Sequence, residues 1–113
     1  MNLMHNCQGV QQLNIPFSDE TIDVMSGFLK ALSDPTRLKI MLLLSITDGL
    51  NVCEIAQNLE MTHSAVSHQL GMLKRMRLLS SKKQGKNVAY FLADDHIFAI
   101  INSASDHASE IVG

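Results

Sequence analysis

Between Asn51 and Leu79 the chain spells two short helical runs, interrupted by residues that cannot carry one helix through. Val52 to Leu59 sets Ile55, Ala56 and Leu59 on one side. Glu60-Met61-Thr62 breaks that pattern, and Thr62 can cap a second helix running to about Met76, in which Val66, Leu70 and Leu73 recur at helical spacing. Two helices joined by so short a turn must cross each other, which is the spacing of a helix-turn-helix. Each is too short to bury its apolar side alone, so the rest of the chain must supply the remaining core.

The flanking segments are built for that. Ser18 can cap a helix whose Ile22, Met25, Leu29 and Leu32 form an apolar stripe, with Asp19, Glu20 and Asp23 near its positive end. Asp34-Pro35 restarts the chain with a cap and a proline at the first helical position, and a mostly apolar helix continues to Ser45. Its Leu38, Met41, Leu42 and Leu44 are expected in the core, and Asp48-Gly49 ends it. Leu78 to Lys83 and Asn87 to Leu92 read as strands around the turn Gln84-Gly85-Lys86. A last helix carries the stripe Ile97, Ile100, Ile101, Ala104, Ala108 and Ile111.

The expected fold is therefore mainly α with a small β-hairpin wing, a winged helix-turn-helix. Residues 18–113 form one DNA-binding and dimerisation domain, homodimeric through its terminal helices, and residues 1–17, which lack helical periodicity and contain Pro16, form a flexible arm. At 113 residues a single core is small, and pairing of two chains would enlarge it. A composition of 46% hydrophobic and 18% charged residues is that of a folded chain. No apolar run approaches the ~18 residues a membrane helix needs, and Met1 to Val10 does not have the pattern of a secretory signal. Two cysteines make no disulfide framework, so a reducing cytoplasm is expected.

A formal charge of −2 hides a strong segregation. The 33 residues from Met61 to Ala93 contain no acid and six of the nine cations: Lys74, Arg75, Arg77, Lys82, Lys83 and Lys86. The remaining residues hold Lys30, Arg37 and Lys39 against all eleven acids. The cations thus fall on the second helix of the helix-turn-helix and on the hairpin, where an anionic partner would be met.

On the second helix Ser64, Ser67 and His68 leave the apolar stripe and share another face, with Gln69 beside them. Hydroxyls, an imidazole and an amide on an outward face can reach base edges and phosphates in a major groove. With Thr62 and His63 at the helix start and Lys74 near its end, these are the candidate DNA contacts, joined by Lys82, Lys83 and Lys86 for phosphates beside the groove. The expected partner is double-stranded operator DNA.

The terminal segment carries a different chemistry. Asp94 and His96 stand at one end of the last helix, His107 and Glu110 at the other. The eleven residues between the histidines are nearly three turns, so both project to one side, roughly 16 Å apart. Zn–N and Zn–O bonds are about 2 Å long, so one chain cannot bring all four groups to one ion. Two such helices packed antiparallel across a two-fold axis would join each Asp94/His96 pair to the partner's His107/Glu110 pair. Two imidazoles and two carboxylates without thiolate suit tetrahedral Zn(II), with Co(II) as its usual substitute.

These residues resemble the ArsR/SmtB family of winged helix-turn-helix metal-sensing transcriptional repressors over roughly residues 18–112. The resemblance is carried by Leu29 to Arg37 (LKALSDPTR), Ser64 to Leu70 (SAVSHQL), Lys83-Gln84-Gly85-Lys86, and the Asp94/His96/His107/Glu110 spacing, which is similar to the family's inter-subunit zinc site. It implies a dimer that binds an imperfect palindrome and releases it when metal binds. Some members carry a second, thiolate-rich site with Cys-Val-Cys or Cys-Val-Gly at the start of the helix before the turn. Here the stretch is Asn51-Val52-Cys53-Glu54, so only Cys53 remains, and Cys7 and His5 in the arm would have to complete an altered second metal or thiol site.

Two other readings stand beside the metal-responsive repressor. A thiol- or redox-sensing repressor of the same fold would use Cys7 and Cys53. A zinc hydrolase is disfavoured, because catalytic zinc keeps an open position and four protein ligands would close the sphere. The chain is therefore expected not to be an enzyme.

Overall fold

The computed structural model describes residues 8–113 of the chain. Its elements are α1 (Asp19–Leu32), α2 (Pro35–Ser45), α3 (Val52–Leu59), α4 (His63–Arg75), β1 (Leu79–Gln84), β2 (Asn87–Leu92) and α5 (Asp95–Val112).

Each helix opens on a side-chain cap. Ser18 Oγ accepts from the Thr21 N–H at 3.1 Å and Asp34 Oδ2 from the Arg37 N–H at 3.0 Å. Thr62 Oγ1 accepts from Ala65 and Asp94 Oδ1 from Ile97, both at 3.1 Å. At α3 the cap is reciprocal: Asn51 accepts from the Glu54 N–H while the Glu54 carboxylate accepts from the Asn51 N–H. A cap of this kind stabilises a helix by about 1 kcal/mol, which matters for α3 at only 8 residues. The turn after α3 runs through Glu60 in the left-handed region, φ 53° and ψ 47°.

The core lies where α2, α3 and α4 meet the base of the hairpin. Ile40, Met41, Ile55, Val66, Leu70, Leu73 and Leu78 are essentially inaccessible to solvent. The α4 stripe is thus buried as its spacing requires. On α2 the buried set is Ile40, Met41 and Leu44, while Leu38 and Leu42 are only half-buried. A helix that is apolar almost all round does not declare its innermost face, and the packing of α1, α3, α5 and β2 around it chooses it.

The hairpin is antiparallel, paired from Leu79↔Leu92 to Gln84↔Asn87. Gly85 opens its two-residue turn at φ +63°, a conformation glycine adopts without steric cost. β1 begins at Leu79 rather than Leu78, because Leu78 is occupied at the base: its N–H donates to Leu73 O and its carbonyl accepts from the Ala93 N–H, both at 3.0 Å. A separate bridge joins Leu50 to Tyr90, tying the start of α3 to β2.

Two apolar stripes remain uncovered along part of their length. On α1, Leu32 is buried but Ile22, Met25 and Leu29 are 38%, 43% and 49% exposed. On α5, Ile97 and Ile101 are buried, whereas Ala104, Ala108 and Ile111 face solvent. Among the described residues, the outer turns of both helices are left largely exposed. No described helix is long and apolar enough to cross a membrane.

Candidate nucleic-acid interface and metal half-sites

Burial of Val66, Leu70 and Leu73 fixes the rotation of α4. The opposite side then carries Ser64, Ser67 and His68, all exposed, with His63 exposed in the first turn. Thr62 is also exposed, but its hydroxyl already caps α4. Arg75, seven residues beyond His68 and so on nearly the same side, joins this face and is exposed. Arg75 is one of the cations of this helix but not among its expected DNA contacts, although its spacing from His68 places it with them.

Two candidate DNA residues are held at the flanks of α4 instead of projecting outward. Gln69 is half-buried, and its Oε1 accepts a hydrogen bond from Arg37 Nε on α2 at 3.1 Å. Lys74 lies on the other flank, where its ammonium donates to Ser81 Oγ on β1. Among the described residues these are the side-chain to side-chain hydrogen bonds that join different elements. They link α4 to α2 on one side and to the hairpin on the other.

Lys82, Lys83 and Lys86 are exposed on the hairpin. Lys82 and Lys83 are adjacent in β1, opposite Ala89 and Val88, and therefore point to opposite faces of the ribbon. Lys86 stands in the turn. The hairpin thus presents cations on both faces and at its tip, beside the outward side of α4.

The four terminal candidates form two pairs, as their spacing required. His96 Nδ1 lies 3.5 Å from Asp94 Oδ1, and His107 Nδ1 lies 4.0 Å from Glu110 Oε2. All four side chains are exposed. Asp94 Oδ1 also accepts from the Ile97 N–H, so the helix cap holds this carboxylate in place. The pairs belong to opposite ends of the 18-residue α5. Among the described residues no three His, Cys, Asp or Glu side chains come together as a metal site. Within one chain each pair therefore offers two donors, an imidazole and a carboxylate, which fit half the sphere of a borderline cation such as Zn(II).

Cys53 is a free, exposed thiol near the start of α3. It lines a cleft of about 310 Å³ with His63, Lys86 and Tyr90, between α3, the first turn of α4 and the hairpin. Its would-be partners His5 and Cys7 lie outside the described residues.

The model of the family described as bacterial regulatory protein, arsR family, matches residues 34–81, from the cap of α2 into β1. A transcriptional repressor SmtB homolog of Synechocystis is 41% identical over 86 residues, which are 76% of this chain and 64% of that relative's length. A cadmium resistance transcriptional regulatory protein CadC homolog of Staphylococcus aureus is 39% identical over 90 residues, covering 80% of this chain and 74% of the relative. In three dimensions the chain is similar to a homodimeric winged helix-turn-helix DNA-binding domain from Mycobacterium bovis, with a TM-score of 0.78 at 25% identity over 86% of this chain and 92% of that one. The architecture is thus a winged helix-turn-helix, with α4 in the position of its recognition helix and β1–β2 in that of its wing.

Proposed function

Because this chain belongs to the arsR family of bacterial regulatory proteins, whose members are DNA-binding transcriptional regulators and not enzymes, we propose that it is a zinc-responsive repressor. It binds operator DNA as a homodimer in the cytoplasm and leaves it when zinc, or cobalt in its place, is bound between the two α5 helices. One observation carries this reading: the two imidazole–carboxylate pairs at opposite ends of α5, each complete to two donors and neither able to reach the other. A two-fold axis beside α5 would supply each pair with the missing half from the partner chain, giving two equivalent sites. The uncovered stripes on α1 and α5 are the surfaces that such a dimer would bury.

Bound at both pairs, the cation would crosslink the α5 helices and favour one relative orientation of the subunits. The chain itself carries that preference to the DNA-binding elements. Asp94 follows β2 after a single residue, Ala93, whose N–H is bonded to Leu78 at the base of the hairpin. β2 in turn is bridged to Leu50, just before α3. An orientation fixed at Asp94 would therefore be passed to the wing and the helix-turn-helix through these backbone hydrogen bonds. Because linkage is reciprocal, DNA must weaken zinc binding by the factor by which zinc weakens DNA binding, typically 1–3 kcal/mol in such couplings.

The test is the anisotropy of a fluorescent operator duplex, taken from the promoter region of the gene encoding this chain and titrated with Zn(II), Co(II), Cd(II) and Ni(II). Dissociation at the lowest free concentrations of Zn(II) or Co(II) is expected. Release by Cd(II) alone would move the sensing site to Cys53, and release by peroxide without any metal would favour the thiol-based reading.

A further inference from the structure

Arg37 and Gln69 are 32 positions apart in the chain and share the hydrogen bond that holds α4 to the start of α2. The direction of that bond follows from chemistry. A guanidinium only donates, so the carboxamide oxygen of Gln69 faces Arg37 and its NH2 faces away from it. Both side chains are half-buried. The ion pairs among the described residues are those of His96 and His107, so the Arg37 charge has no acidic partner there. Asp34, at the same end of α2, accepts the backbone N–H of Arg37 and does not pair with its guanidinium.

A half-buried cation lacking a counter-ion, next to an amide whose outward group is a donor, forms a cluster of donors only. Beside a recognition helix, the anion at hand is a backbone phosphate. Glutamine reads adenine by accepting from N6 and donating to N7 together, which needs both ends of the amide turned to the base. Here one end is turned to α2. We propose that Arg37 and Gln69 form a clamp for one DNA phosphate, and that Gln69 positions the recognition helix on the backbone instead of reading a base. This rests on the assignment of α4 to the major groove.

Gln69→Glu gives the sharpest test. The carboxylate keeps an acceptor for Arg37, so a purely structural link between α2 and α4 survives, whereas the outward donors are lost and a negative charge faces the phosphate. The probe is a duplex of about 30 base pairs, enriched from a random pool by the wild-type homodimer, together with its single-base variants. For Gln69→Glu the expected result is a loss of affinity larger than that of Gln69→Ala and similar for every single-base variant. The slope of log K against log salt should also fall by about 0.9, the loss of one phosphate contact. Arg37→Lys should keep the slope, and Ser67→Ala or His68→Ala should instead change base preference.

Wild-type affinity and slope in Gln69→Glu would overturn the clamp, leaving a structural link. A flattened preference at one base pair in Gln69→Ala would overturn it in favour of base reading. If the wild-type protein enriches no duplex and shows no salt-dependent binding, the DNA reading of α4 fails and the clamp with it. Far-ultraviolet circular dichroism establishes that each variant is folded, and Arg37→Lys with Gln69→Ala decides the matter should Gln69→Glu not fold.

Discussion

Leu50 and Tyr90 exchange two backbone hydrogen bonds, Leu50 N–H to Tyr90 O at 3.1 Å and Tyr90 N–H to Leu50 O at 2.7 Å. The pair joins the residue before the α3 cap to the middle of β2, and so ties the helix-turn-helix to the wing. The neighbouring Gly49 permits it: its φ is +101°, and a Cβ there would collide with the Phe91 ring.

Gly49→Ala is therefore expected to destabilise the fold by about 2–3 kcal/mol, from the unfavourable φ together with displacement of a packed aromatic ring. Urea unfolding measures it. A loss below about 0.5 kcal/mol would mean that Phe91 and the bridge are not constrained as described.

Glu60 ends α3 in the left-handed region, where a side chain with a Cβ is strained. Glu60→Gly relieves that strain but gives the unfolded chain more freedom, and the net expectation is a gain of up to about 1 kcal/mol. The midpoint of thermal unfolding should rise by a few degrees, and a fall would show that the Glu60 side chain supports the turn in some other way.

A site shared between subunits predicts complementation. His96→Ala and His107→Ala homodimers should each bind operator yet lose zinc-driven release, since every site lacks a ligand. A mixed dimer of the two variants keeps one site with both histidines and loses both from the other. It should regain zinc-dependent release and one tight zinc per dimer, read by anisotropy and metal titration. Release by wild-type zinc concentrations in either homodimer would remove these histidines from the site.

Zinc coordination needs neutral imidazoles, so protons compete with the metal. With two histidines per site, two protons compete for each zinc, and the comparison is made between about pH 7.5 and about pH 5.5. Free zinc needed for half-maximal release should rise steeply over that interval. A release midpoint that does not move with pH would argue for ligands other than histidine.

The local layers of this molecule were legible because they rest on short-range chemistry. Ser18, Asp34 and Thr62 cap the helices that follow them, and the α4 stripe is buried as its spacing implied. Asp94 with His96, and His107 with Glu110, are near neighbours on one helix, so their pairing needs no tertiary structure. Arg75 was readable by the same rule. Arg37 was not: no periodicity connects it to Gln69, and only the packing of α2 against α4 brings them together. The hydrogen bonds to Arg37 on α2 and to Ser81 on β1 hold two expected DNA contacts, Gln69 and Lys74, at the flanks of α4.

The sequence by itself thus determined where helices start and stop, which face of α4 is polar, and that two imidazole–carboxylate pairs stand too far apart to meet within one chain. Those features depend on residues within a few turns of each other, whose geometry is nearly the same in any fold. Only the tertiary structure decided which side of the apolar α2 is innermost, how α4 is braced between Arg37 and Ser81, and that the stripes on α1 and α5 stay uncovered. Those outcomes depend on contacts between distant segments, where several faces satisfy the same pattern and close packing selects one.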